Sequence, residues 1–354
     1  MRTVTLRAIA EAAGVSHMTV SLALRNSTKI AVETRERIHR IARDLGYKPN
    51  PLVSAWMTHR RTSRSKRDGT AIGFVNCFCN PATLHRQPTF ARFLSGARER
   101  AEKLGFGFEE FKLHAPGMSS ARLNTILRAR GIQGLIISPQ TSAHGHLRLD
   151  WKAYAAATQG YSLLKPNLSR VANDFTGTTM LAIRELRRRG YRRIALTFKP
   201  DTDARGRHLW SGSFMVYQQQ IEASDRVPFH IWQTDEGLRR WLDRYQPEVI
   251  MTAHWPIRET LETMGFAVPE DIGLLHLDLH PFHKGWAGVD QQIEHAAAAA
   301  VDLVAERLMT NDLGVPALPK VVLTPGVWRE GETLRHFRRI APLRLLTREV
   351  VSRW

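Results

Sequence analysis

A chain of 354 residues is long enough for two or three domains and a sizeable core. Its formal net charge of +18, from 51 Lys+Arg against 33 Asp+Glu, points to a polyanionic partner, nucleic acid before an anionic membrane surface. No apolar run reaches the ~18 residues of a membrane span and no basic start leads into a signal-type segment, so a cytoplasmic protein is expected. The charge is uneven. Residues 1–67 hold 14 Lys+Arg and 4 Asp+Glu, a net of +10, while the other 287 residues carry +8. The polyanion-binding end is therefore expected at the amino terminus.

In chain order, Thr5 is placed to cap a helix over "LRAIAEAAG", with Leu6, Ile9, Ala10 and Ala13 at helical spacing. Gly14 stops it and Val15 is the apolar residue of a tight turn. Ser16 caps a second helix, to about Arg25, with Val20, Ala23 and Leu24 inward. Two short helices around a Gly-containing turn make the helix-turn-helix pattern, whose second helix enters the major groove with its first residues leading. A third helix is expected from about Val32 to Leu45, with Ile38, Ile41 and Leu45 packing on the first two. The alternative is a three-helix protein-interaction domain, against which the charge excess argues.

After Asn50-Pro51, Val53, Trp56 and Met57 form a small apolar stripe. Arg60, Arg61, Arg64, Lys66 and Arg67 then mark a flexible basic linker that adds salt-sensitive, sequence-independent affinity for DNA.

From Ala71 onward strands alternate with helices. "AIGFVNCF", "FGFEEFKL", "GLIIS", "RIALTF", "EVIMTA", "IGLLHLD" and "KVVLTP" are the strand candidates. The alternation implies parallel sheet covered on both faces, and its length implies two doubly wound lobes with a ligand cleft at the carboxyl ends of the strands. Cys77 and Cys79 share one strand face and read as small buried side chains rather than a disulfide framework. No nucleophile elbow, phosphate loop, HExxH or GxGxxG after a strand is present, so neither an enzyme nor a cofactor is expected. "HLDLHPFH" brings His276, Asp278, His280 and His283 close together. A metal site can be drawn from them, but no tight ligand spacing recurs and none is expected.

"TLRAIAEAAGVSHMTVSLALRN" and "TRERIHRIARDLGYKPNPL" resemble the DNA-binding headpiece of the lactose/galactose repressor (LacI/GalR) family of bacterial transcription regulators. The resemblance runs without a gap from Val4 to Leu52 and extends more loosely over the rest. It implies an N-terminal all-α helix-turn-helix headpiece (1–49), a hinge helix and basic linker (50–69), and a periplasmic-binding-protein-like α/β core for effector binding and dimerisation (70–345). Lobe one of that core would take about 70–166 and 291–318, and lobe two about 167–290 and 319–345. By the same resemblance Ser16 opens the recognition helix, His17 and Met18 read bases, and Thr19 and Ser21 bond phosphate. Arg25, Lys29 and Arg35 are further phosphate candidates. Leu22 stands where the family usually carries Arg and offers only apolar contact, for example to a thymine methyl. Ala31 stands where many relatives have a capping Ser. Asn50 opens the hinge, whose minor-groove wedge falls on Trp56 or Met57, unless the stripe with Val53 simply packs on the core.

For the core, the resemblance makes Asp278 an acceptor of ligand hydroxyls. Arg207 becomes the ligand-binding Arg, with Arg205 open because the offset to Gly212 is unusual. His254 and Trp255 end the preceding strand, Trp255 being suited to stack on a sugar. Phe78, ending the first strand, is either a ligand contact or core. The implied protein is a sequence-specific regulator, most simply a repressor. It would bind a pseudo-palindromic double-stranded operator as a C2 homodimer and be controlled by a small molecule, a sugar, held between the lobes. The basic carboxyl-terminal stretch lacks sustained heptads, which favours a dimer over a tetramer. The alternatives are a sugar-binding or sugar-modifying protein with the headpiece as a tether, and an effector-independent DNA binder.

Overall fold

A computed structural model describes residues 6–24, 29–45, 47, 71–78, 88–140, 142–281 and 283–335. The headpiece has three helices, α1 (Leu6–Ala13), α2 (His17–Leu24) and α3 (Val32–Asp44). Ile9, Val20, Ala23 and Ile38 are fully buried between them, with Ala10, Ala13 and Ala42 nearly so. Small residues at the contacts let short helices approach closely. Each fully buried aliphatic side chain contributes about 1.5–3 kcal/mol. A domain this small has few of them, so its caps matter. Leu45, expected in this core, lies one residue past α3 and is exposed. Tyr47 takes up the packing instead.

Lobe one begins with β1 (Ala71–Asn76), α4 (Pro88–Lys103), β2 (Gly107–Lys112), α5 (Ser120–Ala129) and β3 (Gly134–Ile137). It continues through β4 (Gly145–His146), β5 (Ala155–Gln159), β6 (Leu163–Lys165) and β7 (Ser169–Asn173). Lobe two comprises α6 (Phe175–Arg188), β8 (Ile194–Phe198), α7 (Thr202–Arg205), α8 (Leu209–Gln219), β9 (His230–Ile231), α9 (Asp235–Tyr245), β10 (Val249–Thr252), α10 (Ile257–Thr263), β11 (Gly273–His276) and β12 (Ala287–Asp290). The chain then returns to lobe one as α11 (Ile293–Thr310) and β13 (Val321–Thr324), and ends in lobe two with β14 (Val327–Arg329).

Each lobe holds one six-stranded sheet. Lobe one is ordered β13-β7-β5-β3-β1-β2, all parallel. Lobe two is ordered β14-β12-β11-β10-β8-β9, parallel except for β14. β4 and β6 pair as a separate ribbon. Along β1, Ile72 and Phe74 pack into one core and Val75 into the core on the other face, the period of two that a sheet covered on both sides requires.

The lobe boundaries differ from the expected ones. β7 and β13 pair with each other inside the lobe-one sheet, Val321 opposite Arg170 and Thr324 opposite Asn173. The chain therefore changes lobe after Asn173, Gln292 and Thr324. Two of those points lie several residues beyond the expected 166 and 318, because "SRVAN" is a buried strand rather than the approach to a helix.

α4 and α11 pack tightly in lobe one. A side chain at Gly96 would meet the Glu294 backbone at 2.9 Å, so glycine permits the approach. Arg92 clamps the contact with two bonds to the Glu294 carboxylate, 2.5 and 2.6 Å long. No described helix is long and apolar enough to cross a membrane.

Candidate nucleic-acid interface and ligand site

The headpiece presents α2 by local means. Gly14 takes a left-handed φ of +61°, which turns the chain between α1 and α2 without Cβ strain. Ser16 Oγ accepts the Thr19 N–H at 3.1 Å, the N-cap, and its hydroxyl also meets Thr19 Oγ1 at 2.8 Å. His17 and Met18 are exposed on the first turn, Met18 at 64% despite being apolar. Thr19, Ser21 and Leu22 are half-buried, Arg35 is half-buried on α3, and Lys29 is exposed. The first turn is thus free to enter a groove while Val20 and Ala23 anchor the opposite face.

Two bonds that the sequence did not reveal lock α3 to the reading unit. Arg37 Nη2 donates to Ala13 O at 3.3 Å, and a His39 ring nitrogen lies 3.0 Å from Ala23 O. Ala31 makes no side-chain cap to α3. Thr5, Arg25, Asn50, Val53, Trp56 and Met57, with Cys79 and the basic linker, lie outside the described residues.

In lobe two the strand ends bring several candidates together. His254 follows β10; its N–H donates to Thr252 Oγ1 at 3.2 Å and its ring meets the Trp232 ring edge-on at 5.0 Å. Burial, then the Lys199 charge, holds the His254 pKa below its ordinary value. Asp278 is half-buried just past β11, and its N–H donates to His276 Nδ1 at 3.1 Å. Its carboxylate lies 3.8 Å from Nε2 of His280, which is buried.

Trp255 is not an open sugar platform. Its indole lies parallel to His276 at 3.6 Å and to His283 at 3.3 Å. Two parallel rings that close to one centre cannot share a face, so both faces are covered, and Trp286 meets the stack edge-on. The cause is the run "HLDLHPFH", which supplies imidazoles as well as the carboxylate. Burial first, then His280, keeps His276 well below the ordinary histidine pKa. With Nδ1 accepting the Asp278 N–H, the proton sits on Nε2, which has no hydrogen-bond partner among the described residues. Stacked rings also point their nitrogens sideways rather than at one point. Among the described residues no three such groups are placed to share a metal ion.

Phe78 is a core residue. It packs edge-to-face on Phe90 at 4.9 Å and belongs to the lobe-one core. Arg207 is exposed, whereas Arg205 is half-buried and its guanidinium pKa is lowered by desolvation. Arg207 and His208 are both left-handed, with φ of 56° and 57°, and join α7 to α8. Of the two arginines, Arg205 is the shielded cation.

Sequence reasoning missed Asp203. It is buried, accepts the Ser211 hydroxyl at 2.5 Å and the Ser211 N–H at 3.2 Å, and lies 2.8 Å from His208 Nδ1. Serine and histidine both address the carboxylate rather than each other, so the trio anchors α8 and is not a nucleophilic relay. Cys77 is buried, which pushes its thiol pKa up to about 11.

Residues 5–50 match the model of the bacterial regulatory proteins, lacI family. Over 295 residues the chain is 25% identical to the HTH-type transcriptional regulator AglR of Rhizobium meliloti (strain 1021), covering 79% of this chain and 80% of that one. It is 26% identical over 292 residues to the HTH-type transcriptional regulator CelR of Thermobifida fusca, covering 77% and 82%. Among solved structures it is similar to a transcriptional regulator CelR–cellobiose complex, at a TM-score of 0.55 and 20% identity, covering 93% of this chain and 99% of that one. It is also similar to the lac repressor dimer bound to operator and the anti-inducer ONPF, at a TM-score of 0.53 and 18% identity, covering 94% and 100%.

Proposed function

We propose that this chain, a member of the LacI family of DNA-binding transcriptional regulators, is a cytoplasmic, non-enzymatic repressor. It works as a homodimer on a pseudo-palindromic operator and is controlled by a sugar-type effector held at the lobe-two strand ends. The observation that carries the DNA-binding part is the reading helix. Ser16 caps it, Val20 and Ala23 anchor it, and His17 and Met18 are left exposed at its first turn. Two such helices related by a two-fold axis read two half-sites. The structural relatives in complex with cellobiose and with operator support the effector and partner classes. Asp278 and His254, which follow the neighbouring strands β11 and β10, supply an acceptor and a donor for a polar ligand.

The test is a gel shift against genomic fragments with a salt titration. A repressor retains a sequence preference as salt rises, while the phosphate-only part of the affinity falls steeply. Equal binding to all fragments removes the regulator reading. A tethered enzyme would instead turn over a sugar without any operator.

A further inference from the structure

The lobe-two strand ends carry a cation, Lys199, that no part of the family resemblance assigned. Lys199 follows β8, and its ammonium sits 3.6 Å over the centre of the Trp232 ring. Trp232 is itself nearly fully buried, just past β9, and its ring is fixed by a bond from Nε1 to Asp235 at 2.9 Å. His254, just past β10, rests on the edge of the same ring. Lys199 is half-buried and makes no ion pair with any described carboxylate. Arg205 on α7, following the same strand, is also half-buried without an ion pair among the described residues, with only the field of Asp201 to offset its charge. Half-burying two cations without a bonded carboxylate costs free energy that a bound anion would offset. The indole holds the ammonium in place but is a weak substitute for a counter-charge.

Across the sheet the sign changes. β11 lies two strands from β8, and Asp278 follows its end. Two strand spacings are about 10 Å, so one end of the row offers a cation and an imidazole donor and the other a carboxylate.

Resting on the effector reading above, we propose that the ligand is an anionic sugar. Its oxyanion, a carboxylate or a phosphate, is held by Lys199 and His254, while its hydroxyls donate to Asp278. The covered faces of Trp255 fit this reading, since they remove the apolar stacking on which a neutral sugar would depend.

The probes are the oxyanions alone. Thermal unfolding of the full chain is followed in acetate, in inorganic phosphate and in chloride at matched ionic strength, for the wild type, Lys199→Met and Lys199→Arg. A saturable upward shift with one oxyanion over chloride is expected, at least tenfold weaker in apparent affinity for Lys199→Met and retained by Lys199→Arg. A shift with acetate alone identifies a sugar acid, and one with phosphate alone a sugar phosphate. No oxyanion-specific shift, or the same shift in Lys199→Met, overturns the proposal. Lys199→Arg guards against a variant that merely unfolds. Operator binding is measured separately by gel shift without added oxyanion, so failure of the regulator reading is seen there and failure of this one in the melts.

Discussion

The two lobes share a sheet order but differ at the carboxyl ends of their strands. In lobe one the inner strands β1, β3 and β5 end in neutral groups, most of them bonded within the lobe. Ser138 Oγ accepts the Cys77 N–H at 2.9 Å, Ser162 Oγ accepts the Gln140 N–H at 2.8 Å, and Thr158 donates to Ile137 O at 3.1 Å. Lobe two ends in ionisable groups: Lys199, His254, Asp278, His280 and His283. A neutral network spends its hydrogen bonds on the fold. An ionisable one retains charge that a ligand can meet. On the proposed effector reading, Lys199, His254 and Asp278 are the lobe-two groups with which a ligand would bond.

The largest expected effect separates the two kinds of network. Asp203→Ala strips the Ser211 hydroxyl, the Ser211 N–H and the His208 ring of a buried charged acceptor. It should destabilise lobe two by about 3 kcal/mol, since bonds to charged groups are worth roughly 1.5–3 kcal/mol each. Ser138→Ala in lobe one removes a neutral acceptor and should cost about 1–2 kcal/mol. Tryptophan fluorescence in urea checks the first, because every described Trp except Trp151 lies in lobe two. Hydrogen exchange at β1 and β3 checks the second. Equal costs would erase the contrast between the networks.

The next effect moves to the headpiece. Leu22→Arg restores a charged donor on α2 where only an aliphatic side chain now stands. A bidentate Arg–guanine contact discriminates by about 1–3 kcal/mol per base. The preferred half-site should therefore change at one position while bulk DNA affinity changes less. A selection of binding sites from a random pool reads the outcome, and an unchanged half-site removes the claim.

The third is a pH effect confined to lobe two. His276 is held neutral when folded, with its pKa well below the ordinary 6.5. Below pH 6.5 the unfolded chain binds the proton that the folded lobe refuses, so stability rises with pH across that window and falls on acidification. One such group gives a slope of up to about 1.4 kcal/mol per pH unit. His276→Asn retains an acceptor for the Asp278 N–H but cannot titrate, so its slope between pH 6.5 and 5 should be shallower by about that amount. Urea melts followed by tryptophan emission at three pH values decide it, and parallel slopes would remove His276 as the acid-sensitive group.

These experiments bear on parts of the molecule that were unequally legible. The headpiece helices could be placed to within a residue or two, because cap, turn glycine and apolar period coincide in a short stretch. The strand Ala155–Gln159 was invisible: "AAATQ" carries the composition of a helix, yet it is a central strand whose alanines let α11 lie close against it. "SRVAN" is not among the strand candidates because its polar ends hide a buried strand between β5 and β13. Asp278 and His254 could be placed because they follow apolar strand runs directly. Trp255 was placed at the right strand end with the wrong role. Its partners come from the end of β11 and from the loop after it, some twenty to thirty residues downstream, and no local pattern shows that two imidazoles will close on one indole.

The smallest effect concerns the start of α3. Ala31 has the extended backbone of an N-cap, φ −55° and ψ 145°, but no oxygen with which to accept an N–H of the first turn. Ala31→Ser supplies that oxygen without changing the backbone, and Ser at an N-cap is worth about 1 kcal/mol over Ala. In a large lobe such a gain would be lost in the total. In a headpiece resting on so few buried aliphatic residues it is a substantial fraction, and α3 carries Arg37 and His39, which hold α1 and α2 in place. Hydrogen exchange at the α1 and α2 amides of the full chain should slow about fivefold in Ala31→Ser, as 1 kcal/mol of added stability requires. Slowing confined to the first turn of α3 would show instead that the cap is local and that the reading helix is held independently of it.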